Sequence, residues 1–297
     1  MKQTVFTGAA VAIVTPMYTD GSINYDKLGS LIDWQIAQGT DALVICGTTG
    51  ESATMTDAEH VEVIRYAVDR TAGRIPVIAG AGSNDTAYAV WLSKEAEAAG
   101  ADALLHVTPY YNKATQKGLI THFSAIADAT PLPVILYNVP SRTGVNMQPA
   151  TYKELSRISN IVAVKEANGD IASVARTLDL CAGELDVYSG NDDQIVPILS
   201  LGGKGVISVL SNIAPAMTHR ICEEYFQGNT ALAAQMQVDC IALVDALFCE
   251  VNPIPVKQAL NLMGFACGPC RLPLTEMESA NVQRLKEQMI RHGIIAP

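Results

Sequence analysis

The sequence predicts an α/β chain folded as a (β/α)8 TIM barrel with a C-terminal helical appendage. Three observations lead there. Short apolar strands alternate with helix-length periodic segments, and eight such units are complete by about residue 213. The strands are continuous apolar runs, as in a parallel sheet covered on its outer face. No Gly-x-Gly-x-x-Gly follows the first strand, which disfavours a doubly wound dinucleotide fold.

The elements follow in order. Strands are expected at Val11–Thr15, Ala42–Cys46, Val77–Ala79, Ala103–Val107, Val134–Tyr137, Ile161–Lys165, Val187–Ser189 and Val206–Val209. Asp57 is expected to open a helix over Ala58–Arg70 that buries Val61, Ile64 and Val68. Asp85 opens Thr86–Ala99, and Asp170 opens Ile171–Cys181. Strand signals then stop. One helix is expected over Ala231–Phe248 and another over Pro255–Met263. The last spans Thr275–His292, with Thr275 as N-cap and Glu278 at capping-box spacing. The expected division is a catalytic barrel over 1–228 and a helical domain over 229–297.

Bulk properties exclude several function classes. The 297-residue chain carries a net charge of −10 and no basic stripe, so nucleic acid is a poor partner. No apolar run approaches the ~18 residues of a membrane span. The run Ala9–Val14 faintly imitates a leader but stops at Thr15-Pro16 and follows polar Gln3, Thr4 and Thr7; it reads as the first strand. A cytoplasmic address is expected. Seven scattered cysteines argue against a disulfide framework. Cys267-Gly268-Pro269-Cys270 lacks a second C-x-x-C or a close His pair, so no metal site is expected.

The chemistry should gather where strands end, at the C-terminal mouth of the barrel. Lys165 closes the run Ile161–Val164 there. Alone it reads as a strand-end lysine reaching for water. Buried, it would favour the neutral amine that attacks a carbonyl to form an imine. The second strand runs into Gly47-Thr48-Thr49-Gly50-Glu51, whose hydroxyls and amides suit a small carboxylate. Tyr110-Tyr111-Asn112 follows the fourth strand, Tyr137 through Gly144 the fifth, and Gly190-Asn191-Asp192-Asp193 the seventh. A lysine nucleophile, tyrosines for proton movement and an arginine for a carboxylate form a set that imine chemistry needs.

The segments Gly47–Glu51, Tyr137-Asn138-Val139-Pro140-Ser141-Arg142-Thr143-Gly144, Val164-Lys165-Glu166-Ala167 and Gly205–Val209 closely resemble the pyruvate-dependent class I aldolase family. Asn252–Lys257 and Arg271–Leu274 extend the resemblance into the tail. It implies that Lys165 forms the Schiff base with pyruvate, that Tyr137 donates and accepts protons, and that Thr48 and Tyr111 complete its relay. The tyrosine at the Tyr111 position comes from a neighbouring subunit, so a homo-oligomer, expected to be a tetramer, is implied. Thr49, Ile207 and Gly190 would contact pyruvate. Arg142 would hold the carboxylate of L-aspartate 4-semialdehyde. The implied product is 4-hydroxy-tetrahydrodipicolinate, in lysine and diaminopimelate biosynthesis, with no cofactor. Ser52, Ala53, His60, Asn84 and Tyr110 match an allosteric lysine site. Tyr88 and Asp57 depart from it, and weak or absent regulation is expected.

Two other readings share these residues. A sister aldolase acting on N-acetylneuraminate or a 2-keto-3-deoxy sugar acid would keep Lys165, Tyr137 and the Gly-Thr-Thr-Gly loop. A non-catalytic, metabolite-sensing barrel would keep the pocket.

Overall fold

The computed structural model describes residues 2–297. Eight parallel strands close in sequence order into a barrel. They are β1 (Gly8–Ala12), β2 (Ala42–Ile45), β3 (Val77–Gly80), β4 (Ala103–Val107), β5 (Val134–Asn138), β6 (Ile161–Glu166), β7 (Asp186–Ser189) and β8 (Gly205–Ser208). The helices of the barrel are α1 (Tyr25–Ala37), α2 (Asp57–Thr71), α3 (Thr86–Ala98), α4 (Gln116–Asp128), the short α5 (Pro140–Thr143) and α6 (Pro149–Leu155), α7 (Ile171–Cys181), α8 (Ile195–Ser200) and α9 (Pro215–Phe226). The tail holds α10 (Thr230–Asp239), α11 (Ile241–Leu247), α12 (Ile254–Leu262) and α13 (Ser279–Arg291). The expected fold class is borne out. Among the described residues, no single helix is long and apolar enough to cross a membrane.

Successive strand residues face opposite sides, so each strand feeds two cores. Ala10, Ala12, Val44, Ile78, Leu105, Ile135, Tyr137, Ala163 and Ile207 pack together inside the barrel. Their neighbours Val11, Leu43, Ile45, Leu104, Leu136, Val164 and Val206 pack outward against helices. This alternation turns Lys165 inward with Tyr137, its cross-strand partner in register. The lower end is plugged by Phe6 and Tyr188, stacked 4.2 Å apart with planes 8° from parallel. The β8–β1 seam is tight at Gly205, where a Cβ would lie 1.8 Å from the Gly8 carbonyl oxygen.

Several boundaries differ from expectation, each for a long-range reason. β1 begins at Gly8 and ends at Ala12 rather than spanning Val11–Thr15. Beyond Ala12 the side chain of Asn212 replaces the sheet. It donates to the Ala12 carbonyl (2.8 Å) and accepts from the Val14 amide (3.1 Å). Helix α2 is capped by Thr56, not Asp57. The Thr56 hydroxyl accepts from the Glu59 amide and the Glu59 carboxylate accepts from the Thr56 amide, a capping box one residue earlier than expected. Its buried face is His60, Val63, Ile64 and Ala67, with Val61 and Val68 at the edges.

The expected Ala231–Phe248 helix breaks at Cys240, where α10 and α11 meet at 45°. Gln237 is tethered to the barrel, donating to the Asp192 carbonyl (2.8 Å) and accepting from the Val196 amide (3.2 Å). The Cys240 thiol caps the Gln237 carbonyl, and the bend lets Leu243, Ala246 and Leu247 bury. The Thr275 cap does not form, because α13 starts at Ser279. Its exposed end is satisfied from another segment: Glu250 accepts from the Glu278 amide (3.0 Å) and the Asn281 side chain (2.7 Å).

Candidate active site

The mouth of the barrel holds a cavity of about 220 Å³. Thr48, Thr49, Tyr137, Arg142, Lys165 and Gly190 all line it. Ser141, Asn191, Val209, Phe248 and Asn252 complete much of its rim.

Lys165 is 6% exposed, and its Nζ sits 4.3 Å from the centre of the Tyr137 ring. Burial lowers its pKa to about 8. The Asp192 carboxylate works against that shift and the Arg142 guanidinium adds to it. Burial pushes the Tyr137 phenol up to about 12, while Arg142 and a hydrogen bond from Thr48 oppose the rise. The site therefore offers an amine that is readily neutral beside a phenol that keeps its proton. The amine can attack and the phenol can shuttle.

The Gly47–Glu51 loop is wound as two overlapping turns, with Gly50 N donating to Gly47 O (3.0 Å) and Glu51 N to Thr48 O (3.1 Å). Glu51 pays for the tight winding with a left-handed backbone (φ 59°). Its carboxylate is held by the Lys257 ammonium at 2.7 Å, both groups buried, and by the Arg271 amide at 2.8 Å. Arg271 also donates to the Gly21 and Thr54 carbonyls. The helical tail thus fixes the loop that carries Thr48 and Thr49. Asn252 adds a direct link: its side chain donates to the Thr49 hydroxyl (2.9 Å), and its carbonyl accepts from Arg142 (3.3 Å).

Gly190 lines the cavity at a point where nothing larger fits. A Cβ there would stand 2.7 Å from that of Ala167. Tyr111 does not line the cavity of its own chain; it is 90% exposed with φ 71°. Ile207 is buried within the barrel, and from this segment it is Val209 that reaches the cavity.

The expected regulatory residues gather on one side. Ser52 and Ala53 lie in the turn after the Thr loop, and Ser52 also borders the cavity. His60 is buried, hydrogen-bonded to the Gly80 carbonyl at 2.7 Å, and burial lowers its pKa. Asn84 donates to the Tyr110 carbonyl (3.1 Å). The Tyr88 hydroxyl donates to Asp57 at 2.7 Å.

Asp192, Glu166 and Asn252 stand within the sequence motifs, but the sequence alone gives them no role. Asp192 is buried, accepts from the Val209 and Leu210 amides (3.0 and 2.9 Å), and supplies a negative charge that opposes the lowering of the Lys165 pKa. Its place after a strand end was the available signal. Cys267 and Cys270 are free thiols pushed up to about 12 by burial. Among the described residues, no group of three or more His, Cys, Asp or Glu is placed to hold a metal ion.

Residues 5–292 match the profile of the Dihydrodipicolinate synthetase family. The chain belongs to this family. A relative from Lachnoclostridium phytofermentans, named 4-hydroxy-tetrahydrodipicolinate synthase, is 59% identical over 98% of this chain and 99% of its own. One of the same name from Acetivibrio thermocellus is 54% identical over 99% and 100%. The chloride-inhibited dihydrodipicolinate synthase of Acinetobacter baumannii, solved with pyruvate, superposes with a TM-score of 0.96 at 44% identity, covering 98% of this chain and 100% of that one. The resemblance expected from the motifs thus extends over the whole family domain.

Proposed function

We propose that this chain condenses pyruvate with L-aspartate 4-semialdehyde to give 4-hydroxy-tetrahydrodipicolinate, in the biosynthesis of diaminopimelate and lysine. The observation that carries the reading is the buried Lys165 amine, set against Tyr137 in a cavity that also holds Thr49 and Arg142. Family membership and the shared name of its relatives support the same reaction.

The neutral Lys165 amine attacks the ketone carbon of pyruvate. Tyr137, in relay with Thr48, moves the proton that lets water leave the carbinolamine. The pyruvate carboxylate rests on Thr49, whose hydroxyl Asn252 orients. Loss of a methyl proton gives the enamine, which adds to the aldehyde of the second substrate. Arg142 at the rim holds that substrate's carboxylate. The substrate's amine then displaces Lys165 as the ring closes, regenerating the free amine.

Arg142 favours this over a sister aldolase, since a rim guanidinium suits a second small carboxylate better than a polyhydroxyl chain. A comparison of turnover with aspartate semialdehyde, N-acetylneuraminate and a 2-keto-3-deoxy sugar acid tests the choice. Preference for either sugar acid would reject it.

The exposed Tyr111, shaped by a left-handed backbone and absent from its own cavity, supports a relay completed by a second copy of the chain, in a tetramer. A barrel over 1–228 and a helical unit over 229–297 suit the start of α10 at Thr230. Seven free thiols support a reducing, cytoplasmic setting.

A further inference from the structure

We propose that Glu166 and Asn138, on the outer face of the barrel, are positioning residues that lock the strand register seating Tyr137 against Lys165. The inference rests on the reaction proposed above and concerns how its two central groups are held.

β5 and β6 do not keep one register. Val134 pairs with Ile161, but Ile135 already pairs with Ala163, so the strands slip by one residue near their start. The pairing of Tyr137 with Lys165 at the far end is therefore not inherited from the beginning of the ladder. A slip of one residue there would turn one of the two side chains out of the barrel. Something at the mouth has to hold the pair.

The next pair along the ladder is Asn138 with Glu166. Both side chains point away from the cavity, between the barrel and α6, and both residues are buried. One Glu166 oxygen accepts from Asn138 Nδ2 (2.9 Å) and the Asn168 amide (3.0 Å), and the other accepts from the Tyr152 hydroxyl (2.7 Å). Asn138 reaches on to the segment that follows Arg142. It donates to Asn146 Oδ1 (2.8 Å) and accepts from the Met147 amide (3.1 Å). The Glu166 carbonyl accepts from the Gly190 amide at 2.7 Å. One buried cluster thus joins the strand ends of Tyr137, Lys165 and Gly190 to the segment anchoring Arg142.

The role is chiefly one of geometry, with the Glu166 charge the last of the influences on the Tyr137 phenol. Burial raises the Glu166 carboxyl to about 7, so a neutral carboxyl is a form it adopts readily. A glutamine keeps an acceptor for Asn138 and Asn168, and Tyr152 can rotate its hydroxyl to accept instead of donate.

The test measures steady-state kinetics and borohydride trapping of pyruvate in the full-length chain. Glu166→Ala is expected to lower kcat about 10–100-fold per folded molecule, because small misplacement of reacting groups is expensive, with the KM for pyruvate within about threefold of the parent. Glu166→Gln should recover most of that loss. Asn138→Ser, whose hydroxyl is too short to reach Glu166 and Asn146, should lower kcat to a similar extent, again with the KM for pyruvate within about threefold of the parent. Asn138→Ser keeps the proposal falsifiable if Glu166→Ala does not fold. An unchanged kcat per folded molecule of either variant would overturn the proposal. A parent that traps pyruvate on Lys165 but does not use the semialdehyde would reject the reaction instead, and the trapping rates of the variants would still judge the lock.

Discussion

The Lys165 amine lies over the face of Tyr137, 4.3 Å from the ring centre, and both side chains are buried. Neither group could be placed so alone. The amine gains a polarisable surface that replaces water, and the phenol gains a neighbour to which it can pass a proton. Their joint placement follows from strand alternation, which turns both into the barrel from adjacent strands.

Because burial lowers the Lys165 pKa to about 8, imine formation should depend on pH with a known sign. Below that value the ammonium dominates and cannot attack; above it the amine dominates. The rate of pyruvate capture should rise roughly tenfold per pH unit on the acid side and level off above about 8. Asp192→Asn removes a charge that holds the proton on, so the plateau should move to lower pH. Stopped-flow measurement across pH checks both. A rise continuing to the ordinary lysine value would contradict the burial argument.

Arg142→Ala should separate the two substrates. Loss of a charge-assisted contact worth about 2–3 kcal/mol corresponds to a fall of about 30- to 150-fold in kcat/KM for aspartate semialdehyde. Trapping of pyruvate on Lys165 should survive. Unchanged semialdehyde kinetics would remove Arg142 from the site.

Tyr111 is exposed and stands outside its own cavity, so its contribution should arrive between subunits. Lys165→Ala and Tyr111→Ala chains should each be nearly inactive alone. Mixed after reversible dissociation, they should regain activity, since some cavities would then carry both native residues. No recovery, or full activity in a verified monomer, would count against the shared relay.

The Tyr88 hydroxyl occupies one oxygen of Asp57 at 2.7 Å, the carboxylate that an amino-acid effector would need if it bound beside Tyr88. Initial rates should therefore change little in millimolar lysine. Tyr88→Phe, which frees Asp57, should increase whatever sensitivity exists. Strong inhibition of the parent at micromolar lysine would show that the pair does not block the site.

The sequence made the candidate catalytic group legible because its signals are local. An apolar run ending in Lys165, a tyrosine ending the preceding strand and a Thr-Thr loop each follow from a few adjacent residues and the strand-end rule. What was not legible depends on partners far along the chain. Asn212 ends β1, Glu250 caps α13, and Gln237 anchors the bend at Cys240. The burial of Glu51 with Lys257 likewise joins residues 206 positions apart. Spacing and propensity carry no trace of such pairings. The misplaced Asp57 cap had a different cause: Thr56 and Glu59 already carried the capping-box spacing in the sequence.

The central claim is that Lys165 is a buried, readily neutral amine that holds pyruvate as an imine. Borohydride reduction of the full-length protein with pyruvate, followed by peptide mass spectrometry, tests it most directly. The account predicts one stable 1-carboxyethyl adduct, the reduced pyruvate imine, on Lys165, absent without pyruvate and absent in Lys165→Ala. A protein left unmodified under reduction, or modified at a different lysine, would contradict it.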